Sequence, residues 1–100
     1  ATFKIVFSVN LNFFVNNFSN HLYTVSKEIL DSKKITFEIF HSIIKETTNK
    51  VIEIGPEKSQ TGPAKRGDNK TIEEHKEILR NKEYKDLYLI ITRLIEKKYE

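Results

Sequence analysis

Apolar positions recur every three or four residues over most of this 100-residue chain, a spacing that predicts helices. The first stretch carries two periods at once. Phe3, Ile5, Phe7, Val9, Leu11, Phe13 and Val15 alternate as in a strand. Phe7, Leu11, Phe14/Val15, Phe18, Leu22, Val25 and Ile29 form a helical stripe. The helical stripe lasts longer, so one long helix is predicted from about 8 to 31, with residues 1–7 an extended lead-in or further helical turns. Its first half is apolar on too many sides for a surface helix, so it must be central to the domain or buried against another molecule.

The rest of the pattern is helical too. Asp31-Ser-Lys-Lys34 is a polar break. Thr36 is a candidate cap for a helix over about 36–54, with Phe37, Phe40, Ile43/Ile44, Thr47, Val51 and Ile54 on one face. Gly55-Pro56 ends it, and residues 56–69 read as a loop. Asp68 or Asn69 caps a third helix at about 70–81, with a Thr71-x-x-Glu74 capping box as the other possible start. Asn81 interrupts, and a last helix at about 83–98 carries Tyr84, Leu87/Tyr88, Ile91 and Leu94/Ile95. The expected fold is all-α, with four main helices in one domain over residues 1–100. No strand–helix alternation, internal repeat or low-complexity segment stands against it.

Composition narrows the function classes. A chain of this length buries roughly 60–65% of its unfolded surface, so its core is modest and a partner would help it. With no cysteine there is no disulfide framework, no thiolate zinc site and no cysteine nucleophile. That suits a reducing cytosol, and a cytoplasmic protein is expected. The net charge of +3 comes from 17 basic and 14 acidic residues that interleave, too scattered for a nucleic-acid footprint. No apolar run reaches the eighteen or so residues of a membrane span. Lys4 followed by Ile5–Val9 is broken by Asn10, Asn12, Asn16 and Asn17 and lacks a small-residue cleavage pattern, so it is not a signal peptide. The sequons at Asn17 and Asn69 are then chance matches. The chain starts at Ala1 without Met and reads as processed or cut from something longer.

The chemistry-bearing residues concentrate in two places. The first is Thr61-Gly-Pro-Ala-Lys-Arg-Gly-Asp68, a turn fixed by Gly and Pro that runs into a helix start. Lys65 and Arg66 there can hold a carboxylate or phosphate, Arg with bidentate geometry. The alternative is a solvated turn with Arg66 paired to Asp68 or a glutamate. The second place is Asn16, Asn17, Asn20 and His21 within two turns of the first helix. Asparagine is a poor helix-interior residue, so such a group points to hydrogen bonding with a ligand, or else to solvent-facing and capping positions. His75 lies one to two turns into the third helix, as a site residue or a structural one. His21, His41 and His75 lack metal-ligand spacing, and no metal site is expected.

The 61–68 turn, followed by Thr71-Ile-x-x-His75, resembles the carboxy-terminal helical domain of unknown function attached to Rossmann-like NAD(P)-binding oxidoreductases. That family is related in fold to pyrroline-5-carboxylate reductase and the phosphogluconate dehydrogenase group. Asn16-Asn17-Phe-Ser-Asn20-His21-Leu-Tyr23 and Ile43-Ile-Lys-Glu46-Thr47 resemble its motifs in the same order. The first ten residues depart from the small, Ala-rich helix start of that family. The resemblance implies a phosphogluconate dehydrogenase C-terminal-like fold that dimerises and closes one side of a cofactor cleft. It implies Asn17 and His21 as catalytic candidates, and Thr61, Gly62, Lys65, Arg66, Asp68 and His75 as substrate-binding candidates. Glu46 and Thr47 are further candidates for the same cleft.

The nucleotide half is missing from this sequence. Gly55, Gly62 and Gly67 cannot make Gly-x-Gly-x-x-Gly. The chain alone is expected to bind no cofactor, with NAD(P) implied for the intact protein and the N-terminal Rossmann-like domain as its missing partner. The expectation is therefore a homodimeric, substrate-side domain of an oxidoreductase acting on a C=O or C=N bond, with a small anionic substrate and no partnership with nucleic acid or membrane. Asn17, His21 and the 61–68 turn are expected at one open edge. The alternative is a non-enzymatic helical interaction module whose binding face is the first helix.

Overall fold

The computed structural model describes residues 2–100 and is all-α, with no strand among the described residues. They fall into two compact units, Ala1–Ile44 and Lys45–Glu100.

The first unit begins with α1, Thr2–Asn10. Residues 2–7 of the lead-in are therefore helical turns, Ala1 lying outside the described residues, and the helical stripe prevails over the alternation. Leu11 interrupts the helix, but its amide still donates to the Phe7 carbonyl at 3.0 Å, so the chain direction is kept. A π-helical segment follows, Phe13–Phe18, and leads into α2, Ser19–Ser32. The Ser19 hydroxyl donates to the Phe14 carbonyl at 3.0 Å, five residues back, and so occupies an acceptor within the widened turn. The predicted single helix is thus α, π and α in succession. Val25 on α2 is buried at 9% exposure. Lys34 takes a left-handed conformation, φ 59°, where the chain turns out of α2.

Thr36 does precede the next helix, in an extended conformation, but its side chain makes no capping bond. The helix opens instead as a 3-10 turn, Phe37–Phe40, and continues as α3, His41–Ile54. Phe37 meets Phe40 edge-on, with centroids 6.0 Å apart.

The second unit replaces the expected loop with two single helical turns, each started by a Gly-Pro pair. These are α4, Pro56–Ser59, and α5, Pro63–Arg66. The reason lies in those pairs. Gly55 and Gly62 hold φ of 87° and 104°, accessible to glycine, and proline follows at the first helical position, where a missing amide costs nothing. Gly67 ends α5 in the left-handed conformation, φ 69°, and the Asp68 amide donates to the Pro63 carbonyl at 2.9 Å.

Helix α6, Asn69–Ile78, and helix α7, Lys82–Tyr99, complete the chain. Each has a side-chain cap. Asp68 Oδ1 accepts from the Thr71 amide at 3.1 Å, so the first of the two predicted starts is correct, and Thr71 serves that cap instead of starting its own. Asn81 does more than interrupt, because its Oδ1 accepts from the Tyr84 amide at 3.1 Å. Short α5 packs on both α6 and α7. Ala64, Ile72 and Thr92, one from each helix, are the buried side chains of this unit.

Candidate functional site

The asparagine group of the first unit spans a change of helical type. Asn16 and Asn17 lie in the π segment, and Asn20 and His21 in the first turn of α2. A π segment is rare and recurs at functional sites, because the wider turn re-aims the side chains it carries. All four residues are exposed. Beside them in sequence Phe13, Phe14 and Phe18 form an aromatic cluster, with centroids at 4.7, 5.6 and 5.3 Å. Polar amides and an imidazole next to exposed rings can hydrogen-bond one end of a ligand while apolar surface covers the rest. The expected common edge would draw on residues of both units.

In the second unit the 61–68 turn is a folded device. Thr61 is exposed, Gly62 starts α5, and Lys65 and Arg66 stand exposed in its last turn. The Arg66 guanidinium donates to Asp68 Oδ2 at 3.1 Å, the solvated ion pair that the sequence left open as an alternative. Asp68 accepts three bonds in all: from the Thr71 hydroxyl at 2.7 Å, the Thr71 amide and Arg66. The two Thr71 bonds, hydroxyl first, hold its carboxyl below the usual carboxylate range. Partial burial opposes them and Arg66 adds to them. Asp68 is therefore committed to capping α6.

Lys65 reaches the other way. Its ammonium lies 5.3 Å from the centroid of the Tyr99 ring, within cation–π range. The Tyr99 hydroxyl donates to the Glu57 carbonyl at 2.9 Å, and Lys98 Nζ lies 3.8 Å from Glu57 Oε1. Pro56, Ile91, Leu94, Ile95 and Tyr99 line an open, mainly apolar groove of about 220 Å³ beside this contact. His75 and Tyr88 pair across α6 and α7, with Nδ1 to Oη at 2.9 Å and rings edge-on at 5.7 Å. His75 is thus a half-buried tie between helices, whatever else it contacts. Glu46 and Thr47 sit exposed on α3.

Tyr99 is absent from the residues expected from the sequence, and Tyr88 enters there only as a position on the apolar stripe. Tyr99 continues the stripe of Tyr88, Ile91 and Ile95 by one more i+4 step, and that spacing was the available signal. No group of three or more acidic, histidine or cysteine side chains able to hold a metal occurs among the described residues. No helix of the described residues is long and apolar enough to cross a membrane.

The sequence profile of the family "Domain of unknown function (DUF2520)" matches residues 11–95. Among solved structures, the chain is similar to the "putative NADP oxidoreductase BF3122" from Bacteroides fragilis, at 35% identity and a TM-score of 0.84. The likeness covers 90% of this chain and 36% of that one, so the chain spans about a third of the length of its solved relative. A search of the curated proteins finds no match.

Proposed function

We propose a function for a chain that belongs to the family "Domain of unknown function (DUF2520)": it is the substrate-side and dimerisation domain of an NAD(P)-dependent oxidoreductase that reduces a C=O or C=N bond. The observation that carries this reading is the extent of the likeness to a much longer protein whose name is that of an NADP oxidoreductase. This chain's own residues do not fit a dinucleotide cradle. Its three glycines flank single helical turns, and no strand among the described residues leads into a glycine loop. NAD(P), which supplies the hydride when bound, would be held by the Rossmann-like part of the intact protein, a cytoplasmic homodimer.

The proposed roles follow from chemistry. Asn17 donates an amide hydrogen bond to the reacting carbonyl or imine, and His21 passes a proton. In the second unit Lys65 and Arg66, with Thr61 and Gly62, contact an anionic group on the substrate. Arg66 is already paired with Asp68 at the surface, so an anion exchanges one solvated partner for another. Asp68 holds the helix start, and His75 holds α6 against α7.

Turnover of a panel of keto acids and cyclic imino acids by the intact protein with NADPH tests this reading. With a substrate in hand, Arg66→Ala raises KM, whereas Asn17→Ala lowers kcat more than it changes cofactor affinity. An intact protein that binds neither NADH nor NADPH defeats the proposal. The exposed apolar face of α1 then favours a second reading, a helical interaction module without chemistry.

A further inference from the structure

We propose that Tyr99 is the positioning residue of the Lys65 turn, clasping both Gly-Pro turns from the end of α7. The proposal rests on the assignment of Lys65 as an anion contact given above. Tyr99 lies in the last turn of α7. Here it is half-buried and makes two unlike contacts. Its hydroxyl donates to the Glu57 carbonyl at 2.9 Å, in α4. Its ring faces Lys65 Nζ at 5.3 Å, in α5. One aromatic thus holds the first turn by its edge and the second by its face.

The consequence is a lysine ordered before any ligand arrives. A free lysine side chain samples many rotamers, and fixing it on binding weakens affinity. A ring on one side of the ammonium restricts it while leaving N–H donors on the other side for an anion. A cation–π contact at an exposed site corresponds to about 2–5-fold in the balance between held and free lysine. Lys98 Nζ, 3.8 Å from Glu57 Oε1, adds a solvent-exposed contact to the same first turn.

The experiment uses the intact protein with its lysines methylated by a ¹³C reagent, and Lys65→Arg identifies the Lys65 signal. The ring displaces that signal upfield in the wild type and in Tyr99→Phe, and the displacement is lost in Tyr99→Leu. Inorganic phosphate is then titrated against unmodified protein, followed at the Lys65 and Arg66 amides. Tyr99→Phe binds within about twofold of the wild type, and Tyr99→Leu binds about 2–5-fold more weakly. A merely structural tie through the hydroxyl would instead make Tyr99→Phe as defective as Tyr99→Leu, and that result overturns the proposal. If Lys65→Ala weakens phosphate binding but Tyr99→Leu does not, Tyr99 fails and the anion contact stands. If Lys65→Ala leaves phosphate binding unchanged, the anion contact fails and takes the positioning role with it. Tyr99→Trp, with the stronger cation–π face, restores the displaced signal should Tyr99→Leu unfold the turn.

Discussion

Replacing Phe14 with alanine should weaken self-association by about a hundredfold. Phe14 is 59% exposed although it belongs to a cluster with Phe13 and Phe18. A phenylalanine side chain offers roughly 200 Å², so about 120 Å² is left for a partner to cover. At about 25 cal/mol per Å² that is about 3 kcal/mol, and a two-fold interface counts it twice. Alanine keeps part of the area, and no interface covers a ring completely, so about half of the doubled figure is retained. About 3 kcal/mol is two decades in Kd. Near it in sequence Phe7, Leu11, Phe13 and Phe18 stand at 56%, 46%, 38% and 52% exposure, more apolar surface than a small monomer ordinarily leaves open. Sedimentation velocity across nanomolar to micromolar protein measures the effect, with Lys27→Ala as a surface control and circular dichroism to check that the helices persist. A wild type that stays monomeric at tens of micromolar refutes the reasoning, and so does an unchanged Kd in Phe14→Ala.

Other outcomes follow from the helices of the second unit. Ile72→Ala, at a position 7% exposed, should destabilise the protein by about 2–4 kcal/mol in denaturant titration, since the helices have little else to collapse onto. Asn81→Ala should cost about 1 kcal/mol through loss of the α7 cap, read as a lower melting temperature, and Asn81→Asp should recover most of it. Asp68 titrates below its ordinary value of 3.8 in the folded state, so the stability it contributes is present above that value and is lost as pH falls through the lower, folded one. The stability gap between wild type and Asp68→Asn should therefore be full at neutral pH and shrink in acid. A gap independent of pH would show that the carboxylate charge is immaterial to the cap.

The helices were legible because their signals are local. The stripe from Phe7 to Ile29, the Gly55-Pro56 stop and the Asp68 cap each depend on residues within one or two turns. The π segment was not legible. Its widened turn depends on where an extra residue is accommodated, and neither Phe13–Phe18 nor the Ser19 hydroxyl announces that by type. The two single turns at Pro56 and Pro63 read as loop in the sequence because four-residue helices have no periodicity to detect, and the repeated Gly-Pro pair is their one local sign. Within the candidate site, the Arg66–Asp68 pair spans two residues and was foreseeable. The Tyr99–Glu57 bond spans 42 residues, and only the folded chain brings its ends together.

The buried side chains show where this chain's stability has to come from. Val25, Ala64 and Ile72, with Thr92, are the residues under about a tenth exposed among those described. Ile39, Ile43 and Ile52 on the helix over 37–54 stay open, and so do Ile90 and Leu94 on α7. Local devices therefore do much of the work: caps at Asp68 and Asn81, paired Gly-Pro starts, and the Tyr99 clasp. These fix the turns without supplying the burial that holds helices together in water. A chain built so leaves apolar surface that it does not itself cover. That open surface is what the dimer interface and second domain of the proposed function would cover.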